Sequence, residues 1–372
     1  MKMPTEMHIV IKQSAGEVCV LVRAFLVSSA MLFFALTPCF GRTWYISADG
    51  LGDAPTIQAG IDSATVGDTV LVECGTYYEF GLHGLKPGVL ITSETGEYSC
   101  VTIDAQREWS VFTCWDSDST TIIKGFTITH GQSSEDEGPP GAGGGMKCQS
   151  TVRVVNCLFL DNLTYGYGGA VYVDTGTPRF ENCVFIDNTA AQGGAIYISR
   201  MAGCIVKDCT FVGNYTGDSG TIYCNGSSPR IQGCTFYGNA ADHGGSGISS
   251  LDSASPEIDN TIIAYSTSGA GVRCDERSHP AFTCCDIYGN NGGDWDEYTS
   301  SQNGVNGNFS ADPKFCDTPN GDFTLEACSP CLPGNHPDGY DCGDIIGAFG
   351  EDCECETATE PSTWGMIKSM YR

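Results

Sequence analysis

One spacing constrains this chain more than any other feature. Cys157, Cys183, Cys209 and Cys234 stand 26, 26 and 25 residues apart. Each is followed two positions on by Phe (Phe159, Phe185, Phe211, Phe236) and five positions on by Asn (Asn162, Asn188, Asn214, Asn239). The next repeat substitutes Thr261, Ile263 and Ser266, and the one after restores Cys285, Ile287 and Asn290. A fixed period of this length is the mark of a solenoid, in which each repeat buries its apolar face only against its neighbours.

Two further blocks share the period. GTPRFEN, SSPRIQG, ASPEIDN and SHPAFTC begin at Gly176, Ser227, Ala254 and Ser278. Gly-Gly-Ala-Val-Tyr, Gly-Gly-Ala-Ile-Tyr and Ser-Gly-Thr-Ile-Tyr begin at Gly168, Gly193 and Ser219. Three short strands punctuated by Gly, Pro and Asn make one three-sided coil. Alternation puts Cys157 and Phe159 on one face and Leu158 on the other. Stacking then turns the inward positions into columns, with Cys157, Cys183, Cys209, Cys234 and Cys285 as small, buried thiols. Asn156, Asn182, Asp208, Gly233 and Asn260 precede the cysteine column. They are residue types that accept a left-handed backbone, so a tight bend is expected there. Helical periodicity is missing from this region, which excludes helical repeats.

The ends of such a stack need covering. After Pro55, Ile57 and Ile61 share one face of a short helix that can plug the start, and Thr69–Val72 is expected as the first strand. Here a resemblance can be named. PTIQAGID (55–62) and GDTVLVECGTYYE (67–79) resemble the opening of right-handed parallel β-helix, pectin-lyase-like proteins. ADPKFCDTPNGDFTLEACSPC (311–331) resembles their terminal coils. Gly193–Ile196 paired with Phe185–Asn188 looks like the repeats of polymorphic outer-membrane proteins. The likeness spans about residues 43–349. It implies an all-β right-handed parallel β-helix of about ten coils of about 25 residues with a short N-terminal capping helix. It does not imply one chemistry, because the superfamily holds lyases, hydrolases, adhesins and proteins without activity.

The expected organisation is a signal peptide over 1–41, the β-helix over 42–349 and a tail over 350–372. The apolar run 24–36 after Arg23 has the length of an export h-region and is too short for an ordinary membrane span. Within the helix, 311–349 forms a cysteine-rich cap. Cys316, Cys328, Cys331, Cys342, Cys353 and Cys355 are candidates for disulfides stapling that end, as expected of an exported protein. The alternative is a zinc site on Cys328, Cys331, Cys353 and Cys355. After an acidic linker, TWGMIKSMYR (363–372) reads as a sorting or anchoring tag, or as a flap packing on the helix.

A formal charge of −27 repels nucleic acid and anionic membrane, so neither is expected as a partner, apart from membrane contact through the tail. Tyr172, Tyr197 and Tyr223 occupy one outward column, either as an aromatic ladder or as a platform for sugar rings. Asp161 and Asp187 are adjacent rungs. Two such carboxylates raise a pKa or attract a cation, which makes them Ca²⁺ candidates, as are the acidic loops Glu135–Glu137 and Asp294–Glu297. No other cofactor is expected. Asp242-His243 is the one group with a catalytic look, with Lys207 and Arg230 on a neighbouring face, while His83, His130, His279 and His336 stand singly in turns. The polygalacturonase and pectate-lyase signatures are missing. The reading is a secreted or cell-surface β-helix, a non-catalytic scaffold binding glycan or a partner along one sheet. The alternative is a polysaccharide lyase or hydrolase.

Overall fold

A computed structural model gives the fold and describes residues 7–11, 19–27, 31–39, 41–133 and 141–355, the first three segments as backbone alone. The expected export segment lies outside these residues, except that Met7–Ile11, Cys19–Val27 and Met31–Cys39 pair antiparallel in a sheet of their own. The Glu135–Glu137 loop and the 363–372 tail are also outside them. Among the described residues, no helix is long and apolar enough to cross a membrane.

From Thr43 onward the chain winds through three parallel sheets of ten, nine and eleven strands, so the molecule is an all-β parallel solenoid. A typical coil runs through Arg179–Glu181 on the first sheet, Val184–Ile186 on the second, and Thr189–Ala190 with Ile196–Ala202 on the third. Register is residue for residue: Phe159 opposes Phe185, which opposes Phe211, which opposes Phe236. Their rings stack 4.9, 4.7 and 4.4 Å apart inside the coil. The cysteine column beside them is buried and free, and each thiol donates to the carbonyl two residues back. Burial raises the thiols of Cys157, Cys209 and Cys285, the last to about 12, and the column behaves as small apolar side chains.

The bends explain the rest of the repeat. Asn156, Asn182, Asp208, Gly233 and Asn260 all have φ between 46° and 60°. One left-handed residue therefore lies in the link between the first sheet and the second in each of these coils. After the second sheet comes the asparagine ladder. Asn162 Nδ2 donates to Asn188 Oδ1 at 3.0 Å, Asn188 to Asn214 at 2.9 Å, and Asn214 to Asn239 at 3.0 Å. Each amide also donates to a carbonyl of the coil before, so buried polar groups are satisfied along the stack. Asn290 continues the column, donating to Ile263 O.

Both ends are closed, each by different means. The helix α1 (Ile57–Ser63) buries Ile57, Gly60 and Ile61 against the first coil. Thr56 Oγ1 accepts from Ala59 N–H, and the Glu79 carboxylate accepts from the N–H groups of Ile57 and Gln58. The first strand of the solenoid is Thr43–Ile46 rather than Thr69–Val72, with which it pairs. At the far end Gln302 takes the place of another strand, accepting from Phe282 N–H and donating to Pro280 O. Asn308 accepts from Cys285 N–H and donates to Phe282 O.

The cysteine-rich cap does not sit on the end of the stack. Its strands Phe315–Asp317, Asp322–Glu326 and Glu351–Cys353 form a small sheet. The cap packs on the outer face of the second sheet, where Phe323 meets Tyr237 and Ile346 and Leu325 bury Ile262 and Ala264. Disulfides join Cys316 to Cys353 and Cys328 to Cys355 within the cap, and Cys342 to Cys284 of the last coils. A fourth joins Cys74 to Cys100. Cys331 departs from the expectation: its thiol is free, buried, and donates to Asp286 at 3.3 Å. With Cys328, Cys353 and Cys355 all in disulfides, the zinc alternative has lost its ligands.

Candidate functional site

The tyrosine column is where the sequence reading needs its largest correction. Tyr172, Tyr197 and Tyr223 do stack, at 5.7 and 5.2 Å, on the outside of the third sheet. They are nevertheless only 5–8 % exposed. Tyr167, from the preceding loop, lays its ring 4.7 Å from that of Tyr197, and Ala142 and Leu251 close the sides. Tyr172 donates to Asp174, and Asn225 donates to Tyr197 Oη. This column is a second, smaller core and offers no platform.

Asp161 and Asp187 are also resolved differently. Asp161 pairs with Arg107 at 2.6 Å and lies 3.5 Å from His130 Nε2, while His130 Nδ1 lies 3.0 Å from Asp104. The charge that answers Asp161 is thus the Arg107 guanidinium. Burial, and then the Asp161 charge, push Asp187 above the ordinary carboxylate range. In the sequence His130 stands alone, because its partners come from two other coils, 26 and 31 residues away. Asp242 accepts from Tyr215 Oη at 2.5 Å, and His243 is held by its backbone N–H to Asp218 O. Lys207 and Arg230 lie on the first sheet, so they do not converge with Asp242 and His243 on the third-sheet strand Ala240–Leu251.

The outer face of the first sheet carries what the sequence reading passed over. Register places Arg153 beside Arg179, with Arg230 two rungs on in the same column. In the neighbouring column stand Lys124 and Lys207. Five successive coils therefore each present one cation, with side chains 39–54 % exposed for Arg153, Arg179, Lys207 and Arg230. Coils rise about 4.8 Å each, so the row is about 20 Å long. Three carboxylates answer it: Glu181 bonds both Arg153 and Arg179, Asp208 pairs with Lys207, and Asp259 with Arg230. Burial works to raise Glu181, but the two arginines outweigh it and hold the carboxyl low, hence ionised. Glu257 ends the row beyond Arg230. A cleft of about 270 Å³ borders it, between Lys207, Asp208 and Gln232 on one side and Asp344–Gly350 of the cap on the other. The signal was present in the sequence: Arg179 and Arg230 each follow the proline of the same block.

Two depressions lie along the third sheet. One, about 880 Å³, is lined by Arg273, Arg277, Asp275, Asp296 and Tyr298. Its charges are mutually engaged, with Arg277 bridging Asp252 and Asp275. The other, about 520 Å³, lies between Tyr165 and Asp218.

Comparison with known proteins places the fold. Residues 87–220 match the model of the right-handed β-helix region. The flanking coils continue the same architecture, so the chain is a right-handed parallel β-helix. Among solved structures it is similar to the pectin methylesterase of Aspergillus niger, at 15 % identity and a TM-score of 0.42 over 74 % of this chain and 91 % of that one. It is also similar to the pectate lyase Pel9A, at 12 % identity and a TM-score of 0.39 over 84 % and 97 %. No protein of curated function matches the sequence.

Proposed function

We propose that this chain is an extracytoplasmic β-helix that binds an acidic polysaccharide lengthwise along its first sheet. The observation that carries this reading is the row of one cation per coil over Lys124, Arg153, Arg179, Lys207 and Arg230. A net charge of −27 opposes a polyanion at long range, but at physiological salt the field is screened within about 8 Å. At contact distance the five cations outnumber the three carboxylates paired with them, Glu181, Asp208 and Asp259, and the planar guanidinium groups suit carboxylate or sulfate. Strands in a sheet hold the cations at fixed spacing, so little ordering is needed on binding. Four disulfides fit an oxidising compartment.

The test is a calorimetric titration with polygalacturonate and with sulfated dextran at rising salt. Binding to at least one polymer is expected, weakened about tenfold or more in Arg153→Ala/Arg179→Ala and abolished by Arg179→Glu/Arg230→Glu. Equal binding by the reversed variant, or none by the wild type, would sink the reading.

A second reading is favoured by one cluster. His130, oriented by Asp104, stands beside Asp161, whose charge helps raise Asp187 on the next coil, an arrangement able to move protons. It makes the chain a polysaccharide lyase or hydrolase. Unsaturated-uronate absorbance and reducing ends released from polygalacturonate, lost in His130→Ala, would establish it in place of the first.

A further inference from the structure

The depression of about 520 Å³ on the third-sheet side is independent of the cation row and has a different chemistry. Its floor is small residues from three successive coils, Gly166, Ala191 and Gly217. Tyr165 stands over it 71 % exposed, a large aromatic ring with nothing of its own size to bury it. Tyr167 forms the adjoining wall and is fixed by its contact with Tyr197. At the polar end, Gln192 Nε2 donates to Asp218 Oδ2 at 2.9 Å, and Asp218 Oδ1 lies 3.9 Å from Arg273.

The backbone beneath is rigid. Gln192 N–H donates to Gly166 O at 3.0 Å, and Asp218 N–H donates to Ala191 O at 2.8 Å, so these loops continue the rungs of the stack. A preformed hollow of 300–1,000 Å³ with apolar walls and a few convergent polar groups is the usual form of a small-ligand site. An aromatic ring that is apolar on its face and wet at its edge fits a ligand with the same division. A sugar ring has it, with C–H groups on its faces and hydroxyls at its rim.

We propose that this hollow is a subsite for a neutral hexose unit of an oligosaccharide, its ring face on Tyr165 and its hydroxyls on Gln192 and Asp218. The Asp218 carboxylate accepts hydroxyl hydrogens and repels uronates, so the ligand differs in charge from the polymer proposed for the first sheet. One chain would then hold an acidic polysaccharide on one face and a neutral glycan on another.

The experiment is a titration of the full chain with cellohexaose, laminarihexaose and mannohexaose. At least one should bind, and Tyr165→Ala should weaken it tenfold or more with no change in thermal midpoint, since the ring is exposed. Gly217→Leu provides a second variant: a Cβ there meets only Ala191, at 3.8 Å and beyond, so the added side chain fills the hollow without disturbing the coil. It should abolish binding, whereas Arg179→Ala should leave it unchanged. Failure of all three sugars with the wild type, or binding that survives both Tyr165→Ala and Gly217→Leu, would overturn the proposal. Titration of the same preparations with sulfated dextran scores the cation row separately.

Discussion

The first sheet turns a charged outer face to solvent, whereas the third buries a tyrosine stack beneath its own loops. Both sheets are stacked in parallel, coil on coil, so the difference lies in the connections. Two residues, such as Asn182 and Cys183, join the first sheet to the second, too short a link to fold back over either. Between Thr164 and Val171 the chain has room to reach out, and Tyr167 uses it to cover the column. The second sheet is a third case, covered from a distance by the cap. A parallel coil thus fixes where side chains point, and the connections decide which of them meet water.

The largest test of this contrast concerns Asp286, fully buried under the cap on the second sheet. Burial raises its carboxyl from 3.8 to about 8, and the charges of Asp294 and Asp312 add to the effect. Ala311 N–H and the Cys331 thiol donate to it and work the other way. Well below pH 4 the group is neutral in folded and unfolded chains alike. As pH rises from 4 through 8, only the unfolded chain ionises freely, so stability falls across that window, by on the order of 5 kcal/mol. Asp286→Asn should flatten the pH profile of denaturant unfolding between these limits. An unchanged slope would show that the cap leaves Asp286 wet.

Tyr197→Ala comes next. If the column is a core, its removal destabilises by about 3 kcal/mol, as for other large buried rings. If it is an exposed ladder, the loss stays below about 1 kcal/mol. Urea midpoints distinguish the two. Arg179→Ala has the smallest effect on stability, less than about 1 kcal/mol for an exposed ion pair, while its effect on polyanion binding is large. A loss of stability matching that of Tyr197→Ala would mean that the row is structural.

The solenoid was legible because inward positions repeat without exception of kind. Cys157 with Phe159, and Asn162 five residues on from the cysteine, fix the coil length, the bends and the register. The outward residues repeat less strictly, since solvent imposes no shape on them, and their meaning depends on neighbours a coil away. Tyr172, Tyr197 and Tyr223 gave their column and their stacking, but the ring covering them comes from a loop outside the repeat. Arg153 and Arg179 are separated from Arg230 by Ile205 in their own column, and Lys124 and Lys207 belong to the next one. His130 gains Asp104 and Asp161 through coils of unequal length. The pairing of Cys342 with Cys284, and the isolation of Cys331, follow from where the cap lies, which no local spacing records.

The two closures have a consequence for growth of the molecule. Because α1 covers the apolar cross-section at one end, where Asp53 accepts from Tyr45 N–H, and the Gln302 and Asn308 side chains occupy the last rung at the other, both ends of the stack are blunted as templates for another copy. Each inner coil, by contrast, presents nearly the same upper and lower surface to its neighbours. Deleting or duplicating one unit of 25 or 26 residues between Cys157 and Cys234 would leave both closures and every junction chemically familiar. Length is therefore a nearly free variable for this protein, and its reach along a polymer can be lengthened or shortened one rung at a time.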